Sequence, residues 1–395
     1  MVAGPSLRIC LVYDCLFPYT VGGAERWYRN LATRLAAEGH EVTYLTRVQW
    51  EPGERPELPG VRIVALPPRI GLYTGSGRRR MDQALLFGRG VLGHLLRHGR
   101  RYDVVHTAQF PFFSLLAAAA VRPVAGFRIV VDWHEVWTPA YWIEYLGPVL
   151  GRVGWAIQRL CARATERAFT FSRLHAERLR GEGMRGEISV YGGSYGGPKE
   201  PRPGPEPREP TVVFAGRHIP EKRVGAIPPA MQRVRGHAPE LRAVIYGDGP
   251  DRPGLLAAVA GDDAVDAPGF VSSEEIERGL ASATVMVLPS RREGLGLVVI
   301  EAASFGTPSV VVADPDSASP ELIEEGVNGT VAASTDPEEL AAAILRVRAG
   351  GAALRRSTAA WFAVNGPRLH ADAALALAAE SYRAEAQTVA GLRPT

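Results

Sequence analysis

Short apolar segments alternate with longer segments of helical periodicity along most of the chain, and this alternation constrains the fold most strongly. The first segment, Arg8–Tyr13, reads RICLVY, a continuous apolar run typical of a strand that helices cover on both faces. In the next segment, Trp27, Leu31 and Leu35 recur every four residues, as expected of an amphipathic helix. Strands separated by helices connect into crossover units, so we predict doubly wound parallel sheets.

The alternation occurs in two series, which predicts two consecutive α/β domains. Residues 192–210 lie between the series and are dense in Gly, Pro and charge, which is typical of a linker. We therefore predict a Rossmann-like domain over 1–191, a linker over 192–210, a second Rossmann-like domain over 211–368 and a C-terminal helix over 369–395 that can return to the first domain. The predicted strands of the second series are TVVFAG, LRAVIYG, TVMVLP and PSVVV.

Composition excludes several classes of protein. The formal net charge of +3 is too small to favour nucleic acid as a partner. The three cysteines show neither metal-ligand spacing nor an even disulfide framework. We see no signal peptide and no run of about 20 apolar residues, so we expect a cytoplasmic protein, peripheral to the inner face of a membrane at most.

A basic loop follows the first strand of the second series, in the phrase FAGRHIPEK. Gly216 allows the backbone to approach a ligand, Arg217 offers a bidentate fork, and Lys222 a flexible point charge. Lysine occurs elsewhere only at Lys199, so a lysine in this loop favours a specific role over that of an ordinary surface residue. These residues suit a diphosphate, although two solvated basic side chains on a loop remain the alternative.

The turn Tyr246–Pro250 (YGDGP) does not match the dinucleotide-binding fingerprint, which argues against nicotinamide and flavin enzymes.

The phrase EGLGLVVIE places two carboxylates, Glu293 and Glu301, around a glycine-rich helix start. Free amides and the positive end of the helix dipole after Gly294 and Gly296 attract phosphate. Apolar neighbours predict that Glu301 is half-buried and needs a partner. A glycosidase also uses two carboxyls, but a phosphate-binding loop has no role in cleaving a plain glycoside.

The ordered series of motifs resembles glycosyltransferase family 4, a family of retaining enzymes with the GT-B fold. The hallmark is a Glu, seven residues and a second Glu, here within EGLGLVVIEAASFGTP. The resemblance extends from VGGAERWYRNLATRLAAEGHEVTYLT through TERAFTFSRLHAERLR, AGRHIPEK and PGFVSSEEIERGLASATVMVLPS to DSASPELIEEGVNGTVAASTDPEELAAAI. It implies two Rossmann-like domains that face each other across a cleft, with acceptor and donor on the first and second domain respectively.

The resemblance also implies roles for individual residues. Glu293, His134, Arg217 and Lys222 are the catalytic candidates: Glu293 and His134 meet the donor sugar, and the two cations hold the diphosphate. Glu301 accepts hydrogen bonds from the ribose. The implied donor site comprises Gly22, Gly23, Gly216, Arg217, Lys222, Gly269, Phe270, Val271, Glu293, Gly294, Leu295, Gly296, Leu297 and Glu301.

Three further features near the predicted site are given no primary role: Glu135, the aromatic residues around it, and an acidic string. Glu135 is a weaker candidate than His134, and the aromatic residues around it are interpreted as packing. The string Asp314–Asp316 (DPD) matches the metal-binding string of a different glycosyltransferase architecture. We interpret it as a loop at a strand end and predict no metal and no cofactor besides the nucleotide-sugar co-substrate.

The function implied is transfer of a sugar, of hexosyltransferase type, from a UDP- or GDP-linked donor with retention of configuration. The acceptor class stays open among glycans, lipids and small molecules of carbohydrate or natural-product biosynthesis, and the oligomeric state is not predicted. Two alternatives remain: a nucleotide-sugar epimerase with the same architecture, and a non-catalytic protein that binds a sugar nucleotide.

Two local features carry further expectations. Pro228 and Pro229 should interrupt the helix expected after Lys222. In the segment 75–101, an apolar stripe of Met81, Leu85, Leu92 and Leu96 lies between arginines. We expect this stripe to pack on the sheet, with weak contact to an anionic membrane as the alternative.

Overall fold

The structure of the chain is a computed structural model that describes residues 6–20, 23–67, 69, 80–204 and 209–392. It divides into two compact units. The first combines Met1–Ser194 with Ala371–Thr395, and the second comprises Tyr195–His370. Each unit is built around one large parallel sheet, so the predicted pair of Rossmann-like domains is confirmed.

The first unit contains a seven-stranded sheet in the order β3-β2-β1-β4-β5-β6-β7, with every pairing parallel. Its strands are β1 (Arg8–Val12), β2 (Glu41–Arg47), β3 (Val61–Leu66), β4 (Val104–Ala108), β5 (Arg128–Trp133), β6 (Arg167–Thr170) and β7 (Glu187–Val190). The first helices of the unit are α1 (Gly23–Ala37), α2 (Met81–His98), α3 (Phe113–Ala125), α4 (Pro139–Leu146), α5 (Pro148–Ala164) and α6 (Arg173–Gly181).

Helices cover both faces of this sheet. Right-handed crossovers place α1, which leads from β1 to β2, on one face, and the helices from α2 to α6, which lead in the opposite direction, on the other. Between the second group of helices and the sheet lies a core that includes Phe87, Val91, Leu115, Ile129 and Cys161. The five inner strands are mostly buried on both faces, which explains their continuous apolar sequences, whereas the edge strands β3 and β7 are partly exposed.

The second unit contains a six-stranded parallel sheet in the order β10-β9-β8-β11-β13-β15 and a separate two-stranded pair, β12-β14. The strands are β8 (Thr211–Ala215), β9 (Arg242–Tyr246), β10 (Val265–Gly269), β11 (Val285–Leu288), β12 (Arg292–Glu293), β13 (Ser309–Val312), β14 (Asp316–Ser317) and β15 (Gly329–Ala332). The helices are α7 (Ile227–Arg235), α8 (Arg252–Ala258), α9 (Ser273–Ser282), α10 (Leu297–Ser304) and α11 (Pro337–Leu369), the last interrupted at Gly351.

The last helix, α12 (Ala371–Leu392), belongs to the first unit and packs on α1. Tyr382 of α12 shares a 2.7 Å hydrogen bond with Nδ1 of His106, a fully buried residue of β4. The opposite ring nitrogen of His106 lies 3.1 Å from the carboxylate of Asp132, without hydrogen-bond geometry. The indole of Trp27 in α1 donates to the same carboxylate at 2.7 Å. This buried network ties α12 and α1 to the sheet.

The sequence patterns missed the two edge strands of the six-stranded sheet and the short pair β12-β14, and chose the wrong face of one helix. β10 contains Pro268, and both β10 and β15 are short edge strands. An edge strand can form with few apolar residues, so its sequence gives only a weak strand signal. In α2, the stripe expected to pack is exposed at Met81, Leu85 and Leu96; Ala84, Phe87, Val91 and Leu95 pack on the sheet instead.

Other local expectations can be compared directly with the structure. The expectation that Pro228 and Pro229 interrupt a helix is wrong: they lie in the first turn of α7, where proline is tolerated, and two short 3-10 turns precede that helix between Pro220 and Ala226. Residues 195–204 of the predicted linker pack on the second unit, where Arg202 and Gly204 donate backbone hydrogen bonds to Ser304 and Phe305.

Among the described residues, no helix has the length and apolar character needed to cross a membrane.

Candidate functional site

Three loops meet at one edge of the second sheet. They follow β8, β11 and β13, which are neighbours in the sheet and parallel, so their carboxyl ends lie side by side. Ligands of open α/β sheets bind at this edge. The loops carry the predicted residues Arg217, Lys222, Glu293 and Gly296, together with Asp314.

Ion pairs connect these loops. The ammonium of Lys222, after β8, pairs with the carboxylate of Glu293, after β11. Arg223 donates to Asp314, after β13, at 3.0 Å. The backbone amide of Arg291 also donates to the carbonyl of Glu221 at 2.8 Å. Two predicted catalytic residues are thus in direct contact, and the loops that carry them are fixed relative to each other.

Glu293 is a buried carboxylate on a rigid support. Its side chain is about 10% exposed, and its backbone lies in β12, which pairs with β14. The carbonyl of Glu293 accepts a further hydrogen bond from the amide of Ala318 at 3.0 Å. A carboxylate held this way, beside a cation, can accept hydrogen bonds from sugar hydroxyls without first being ordered.

The helix α10 begins at Leu297, four residues after Glu293, and has no side-chain cap. Its N-cap residue, Gly296, adopts φ 97° and ψ 61°, a left-handed conformation that favours glycine. A Cβ at this position would lie 3.1 Å from the side chain of Ser319, so the turn also needs a small residue. The first amides of the helix therefore lack side-chain acceptors, which with the helix dipole makes this a suitable anion site. Gly294, Leu295 and Leu297 form the turn around it.

Glu301 lies in the second turn of α10 and is half-buried, as predicted. Burial raises the pKa of its carboxyl, and the like charge of Glu277 raises it further. In the described part of the chain no donor hydrogen-bonds its carboxylate; Ser304 donates only to its backbone carbonyl. The partner that the sequence led us to expect is thus not supplied by the described protein groups, and a ligand hydroxyl would meet the need.

The loops after β8, β9 and β10 interlock through their backbones. His218 donates its amide to the carbonyl of Asp248 at 2.8 Å, and Gly247 donates to Gly269 at 2.8 Å. A Cβ at Gly249 would overlap the carbonyl of His218. The turn YGDGP is therefore a support that positions the loop of Gly216 and Arg217, a role that the sequence reasoning missed.

Phe270 and Val271 follow β10 at the outer strand of the sheet. Phe270 is 87% exposed, the largest exposure among the big apolar side chains of the described residues, whereas Val271 is half-buried. Gly269 before them has φ 92°, and a Cβ there would lie 3.1 Å from the guanidinium of Arg252. An exposed ring at a ligand-binding edge can stack on a planar group.

In the first unit, His134 follows β5 at the carboxyl edge of that sheet. Its amide donates to the side-chain oxygen of Gln109 at 3.1 Å, and its ring stacks on Phe171 with centroids 5.1 Å apart. Burial lowers the pKa of the imidazole, so the ring is neutral at pH 7. Its Nε2 is buried and has no hydrogen-bond partner within the described ranges. A ligand hydroxyl could satisfy this atom.

The other first-unit candidates have simpler surroundings. The carboxylate of Glu135 accepts from the indole of Trp137 at 2.9 Å, which ties it to the aromatic cluster. Gly23 begins α1, with open space where a Cβ would lie. Gly22 lies outside the described residues.

The string DPD is connected to the basic loop and not to a cluster of ligating side chains. Asp314 pairs with Arg223, and its other oxygen accepts from the amide of Asp316 at 3.1 Å. No group of three or more His, Cys, Asp or Glu side chains with metal-binding geometry occurs in the parts of the chain that the structure describes. In the sequence, Arg223 beside the rare Lys222 was a signal that this loop could form ion pairs. Its partner Asp314 lies 91 residues further along the chain, so local patterns did not identify the pair.

Two family models match this chain, and together they cover most of it. The model described as glycosyl transferase 4-like domain matches residues 22–192, and the model described as glycosyl transferases group 1 matches residues 209–349. The first match lies within the first structural unit and the second within the second unit.

Curated relatives show the same relationship. Glycogen synthase of Mycobacterium tuberculosis is 27% identical over 377 residues, which are 89% of this chain and 88% of that protein. Sulfoquinovosyl transferase SQD2 of Arabidopsis thaliana is 26% identical over 83% of this chain, which spans less than two thirds of that longer protein, namely 63%.

Solved structures share the fold at low sequence identity. Sucrose-phosphate synthase from Thermosynechococcus elongatus superposes with a TM-score of 0.77 at 20% identity, covering 98% of this chain and all of that one. HepE of Anabaena, solved in complex with UDP and with UDP-glucose, gives TM-scores of 0.68 at 15% and 16% identity, covering 96% of this chain and 100% of that one. With two matching family models, the GT-B architecture and relatives that are themselves glycosyltransferases, this chain belongs to the GT-B glycosyltransferases of family 4 type.

Proposed function

We propose that this glycosyltransferase moves a sugar from a UDP- or GDP-linked donor to its acceptor with retention of anomeric configuration. The observation that carries the proposal is the Lys222–Glu293 pair beside the uncapped start of α10. A cation, a hydroxyl acceptor and free amides within one set of loops are the groups that a sugar diphosphate needs.

The proposed donor site divides into three parts. Arg217, Lys222 and the first amides of α10 hold the diphosphate. Glu293 binds hydroxyls of the donor sugar. Glu301 accepts hydrogen bonds from the ribose, and the exposed ring of Phe270 lies against the base.

The difficult step is departure of the diphosphate, on which negative charge accumulates. Cations and helix amides fixed before the reaction stabilise that charge in the transition state. The bond between the anomeric carbon and the diphosphate oxygen breaks, and the acceptor oxygen attacks on the same face and gives its proton to the departing diphosphate oxygen. We propose that neutral His134 contacts the donor sugar through Nε2. The protein groups provide the positive charge, so we expect activity to survive chelation of divalent cations.

The acceptor and the place of reaction belong to the same proposal. Acceptors are drawn from glycans, lipid-linked sugars and small molecules, and the first unit binds them. We place the protein in the cytoplasm, with weak peripheral contact to the inner face of the membrane.

The donor can be identified by a thermal-shift screen of nucleoside diphosphates and sugar nucleotides, because a ligand of the folded state raises the melting temperature. We expect one base, uracil or guanine, to give a clear shift. If no nucleoside diphosphate shifts the melting temperature at millimolar concentration, the donor site is wrongly assigned.

The role of Glu293 is tested with the donor so identified. Glu293→Ala should reduce transfer by about 100-fold or more, as for the loss of one preorganised polar group, and leave binding of the free nucleoside diphosphate nearly unchanged. Glu200→Ala, at an exposed glutamate of the same unit, is the control. Release of nucleoside diphosphate without a glycosylated product would indicate an epimerase, and tight binding without turnover a sugar-nucleotide-binding protein.

A further inference from the structure

Exposed apolar side chains concentrate on one part of the first unit. Ten of the fifteen large apolar side chains that the described residues expose lie between residues 81 and 160. They are Met81, Leu85, Leu86, Leu96, Val124, Tyr145, Val149, Leu150, Val153 and Leu160. Exposure is high: Val149 is 70% exposed and Leu96 65%. Single exposed apolar residues are ordinary, but ten on one group of helices need a reason.

These residues lie on the outer side of one helical layer. The helices α2, α3 and α5 cover the same face of the sheet, α2 packs on α3, α3 packs on α5, and α4 packs on α5. Their inner sides are filled by the core, so the exposed residues of the layer are directed away from the sheet. We call this outer side the basic apolar face and define it by the apolar residues above and by the arginines below.

The same helices carry an excess of positive charge. Segments 81–101 and 139–164 contain seven arginines, Arg89, Arg97, Arg100, Arg101, Arg152, Arg159 and Arg163, and only two acidic residues, Asp82 and Glu144. Six of the arginines are exposed; Arg159 is half-buried and lies 3.7 Å from Glu182. The chain as a whole has a net charge of only +3, so this charge is local to the basic apolar face.

We propose that the basic apolar face docks on an anionic lipid bilayer. Apolar side chains enter the interface between headgroups and acyl chains, and the arginines contact lipid phosphates, which is how amphipathic helices bind in the plane of a membrane. Electrostatic attraction adds to the apolar contribution for each basic residue near the surface.

Charge decides between a membrane and a second copy of the chain. In a two-fold dimer the same patch meets itself, so arginines would face arginines with two carboxylates to offset them. An anionic bilayer supplies the opposite charge at every position. This docking surface deepens the membrane contact included in the proposed function but does not depend on the transfer reaction, because vesicle binding is measured without donor or acceptor.

The test is flotation of the full-length protein with vesicles of phosphatidylcholine alone and of phosphatidylcholine with about one quarter phosphatidylglycerol. We expect flotation with the anionic vesicles only, and release of much of the protein at about 1 M salt, where the Debye length falls to about 3 Å.

Matched variants locate the surface. Val149→Asp with Val153→Asp, and separately Arg152→Glu with Arg163→Glu, should each weaken binding by about tenfold or more. The controls are Val364→Asp and Arg356→Glu, at exposed positions of the second unit, which should bind like the unchanged protein. All variants alter exposed side chains, and thermal melting of each variant verifies that it is folded before its binding is compared.

Three results would overturn the proposal: no binding to anionic vesicles at low salt, equal binding of test and control variants, or a dimer in solution that the Val149→Asp and Val153→Asp pair dissociates. The last result would assign the face to a second copy.

Discussion

At the scale of single residues, the surroundings of Glu301 predict a distinctive pH dependence for the nucleotide binding proposed for it. Burial and the charge of Glu277 raise the pKa of its carboxyl, so it gains a proton at a higher pH than an ordinary glutamate. The ionised carboxylate accepts hydrogen bonds through both oxygens, whereas protonation turns one of these oxygens into a donor. Protonation therefore removes an acceptor as the pH falls through the raised pKa.

We expect affinity for the nucleoside diphosphate to decrease as the pH is lowered from 7.5 to 5. Glu301→Gln should bind about tenfold more weakly at pH 7.5 and show a flatter profile, since a charge-assisted hydrogen bond contributes about 1.5–3 kcal/mol. Glu277→Gln should move the profile to lower pH. Titration of the ligand's phosphates is common to all three proteins, so parallel profiles in isothermal titration calorimetry would contradict this account.

The sequence located the residues of the candidate site but not their partners. Lys222 and Glu293 could be singled out because one is a rare lysine and the other begins a glycine-rich helix start. Their mutual ion pair, and that of Arg223 with Asp314, join residues 71 and 91 positions apart, and no local periodicity reports such contacts. The roles themselves stay predictions.

At the scale of elements, the turn after β9 positions the neighbouring loop of Gly216 and Arg217, a role that the sequence patterns did not indicate. Its glycines were interpreted as ordinary turn residues, whereas Gly249 has φ 152° and approaches the backbone of His218 too closely for any side chain. The requirement for glycine comes from the neighbouring loop and is therefore visible only in the folded chain.

Gly249→Ala should lower stability by about 1–3 kcal/mol and weaken nucleoside diphosphate binding, because the displaced loop carries Arg217. Gly254→Ala, in α8, is the matched control: nothing lies within 4 Å of its added Cβ, and alanine favours a helix. Thermal melting and calorimetric titration measure both effects. Equal behaviour of the two variants would show that the turn does not position the loop.

The helix α2 shows where periodicity fails. Two apolar stripes share this helix, and the one that packs, from Ala84 to Leu95, is interspersed with Gly88, where a side chain would overlap Phe113 of α3. A sequence pattern reports that a helix has an apolar side; with two such sides, only the packing of a neighbouring helix selects the inner one.

At the scale of the whole molecule, alternating strands and helices sufficed to predict two parallel sheets, because crossover connections admit few other topologies. The attachment of α12 to the first unit depends instead on the buried contacts of Tyr382, His106 and Asp132. Burial acts to raise the pKa of Asp132, but His106, His134 and the hydrogen bond from Trp27 together outweigh it, so the net pKa is lowered. The carboxylate is therefore ionised at neutral pH.

Tyr382→Phe should destabilise the first unit by about 1–3 kcal/mol, because it leaves the buried Nδ1 of His106 without its partner. Tyr19→Phe, at a partly exposed tyrosine, should change stability by less than about 0.5 kcal/mol. Tryptophan fluorescence during urea denaturation follows this unit, since six of the seven tryptophans belong to it. An unchanged unfolding midpoint for Tyr382→Phe would show that the contact does not hold α12.

The central claim is that the second unit binds a nucleoside diphosphate through Lys222, and the chain provides its own control because Lys199 is the only other lysine. The most direct measurement is calorimetric titration of the nucleoside diphosphate into Lys222→Met and Lys199→Met, with thermal melting to verify that each is folded. We predict at least about tenfold weaker binding for Lys222→Met and unchanged binding for Lys199→Met, as expected for the loss of one charge-assisted contact. Equal affinities in the two folded variants would contradict the claim.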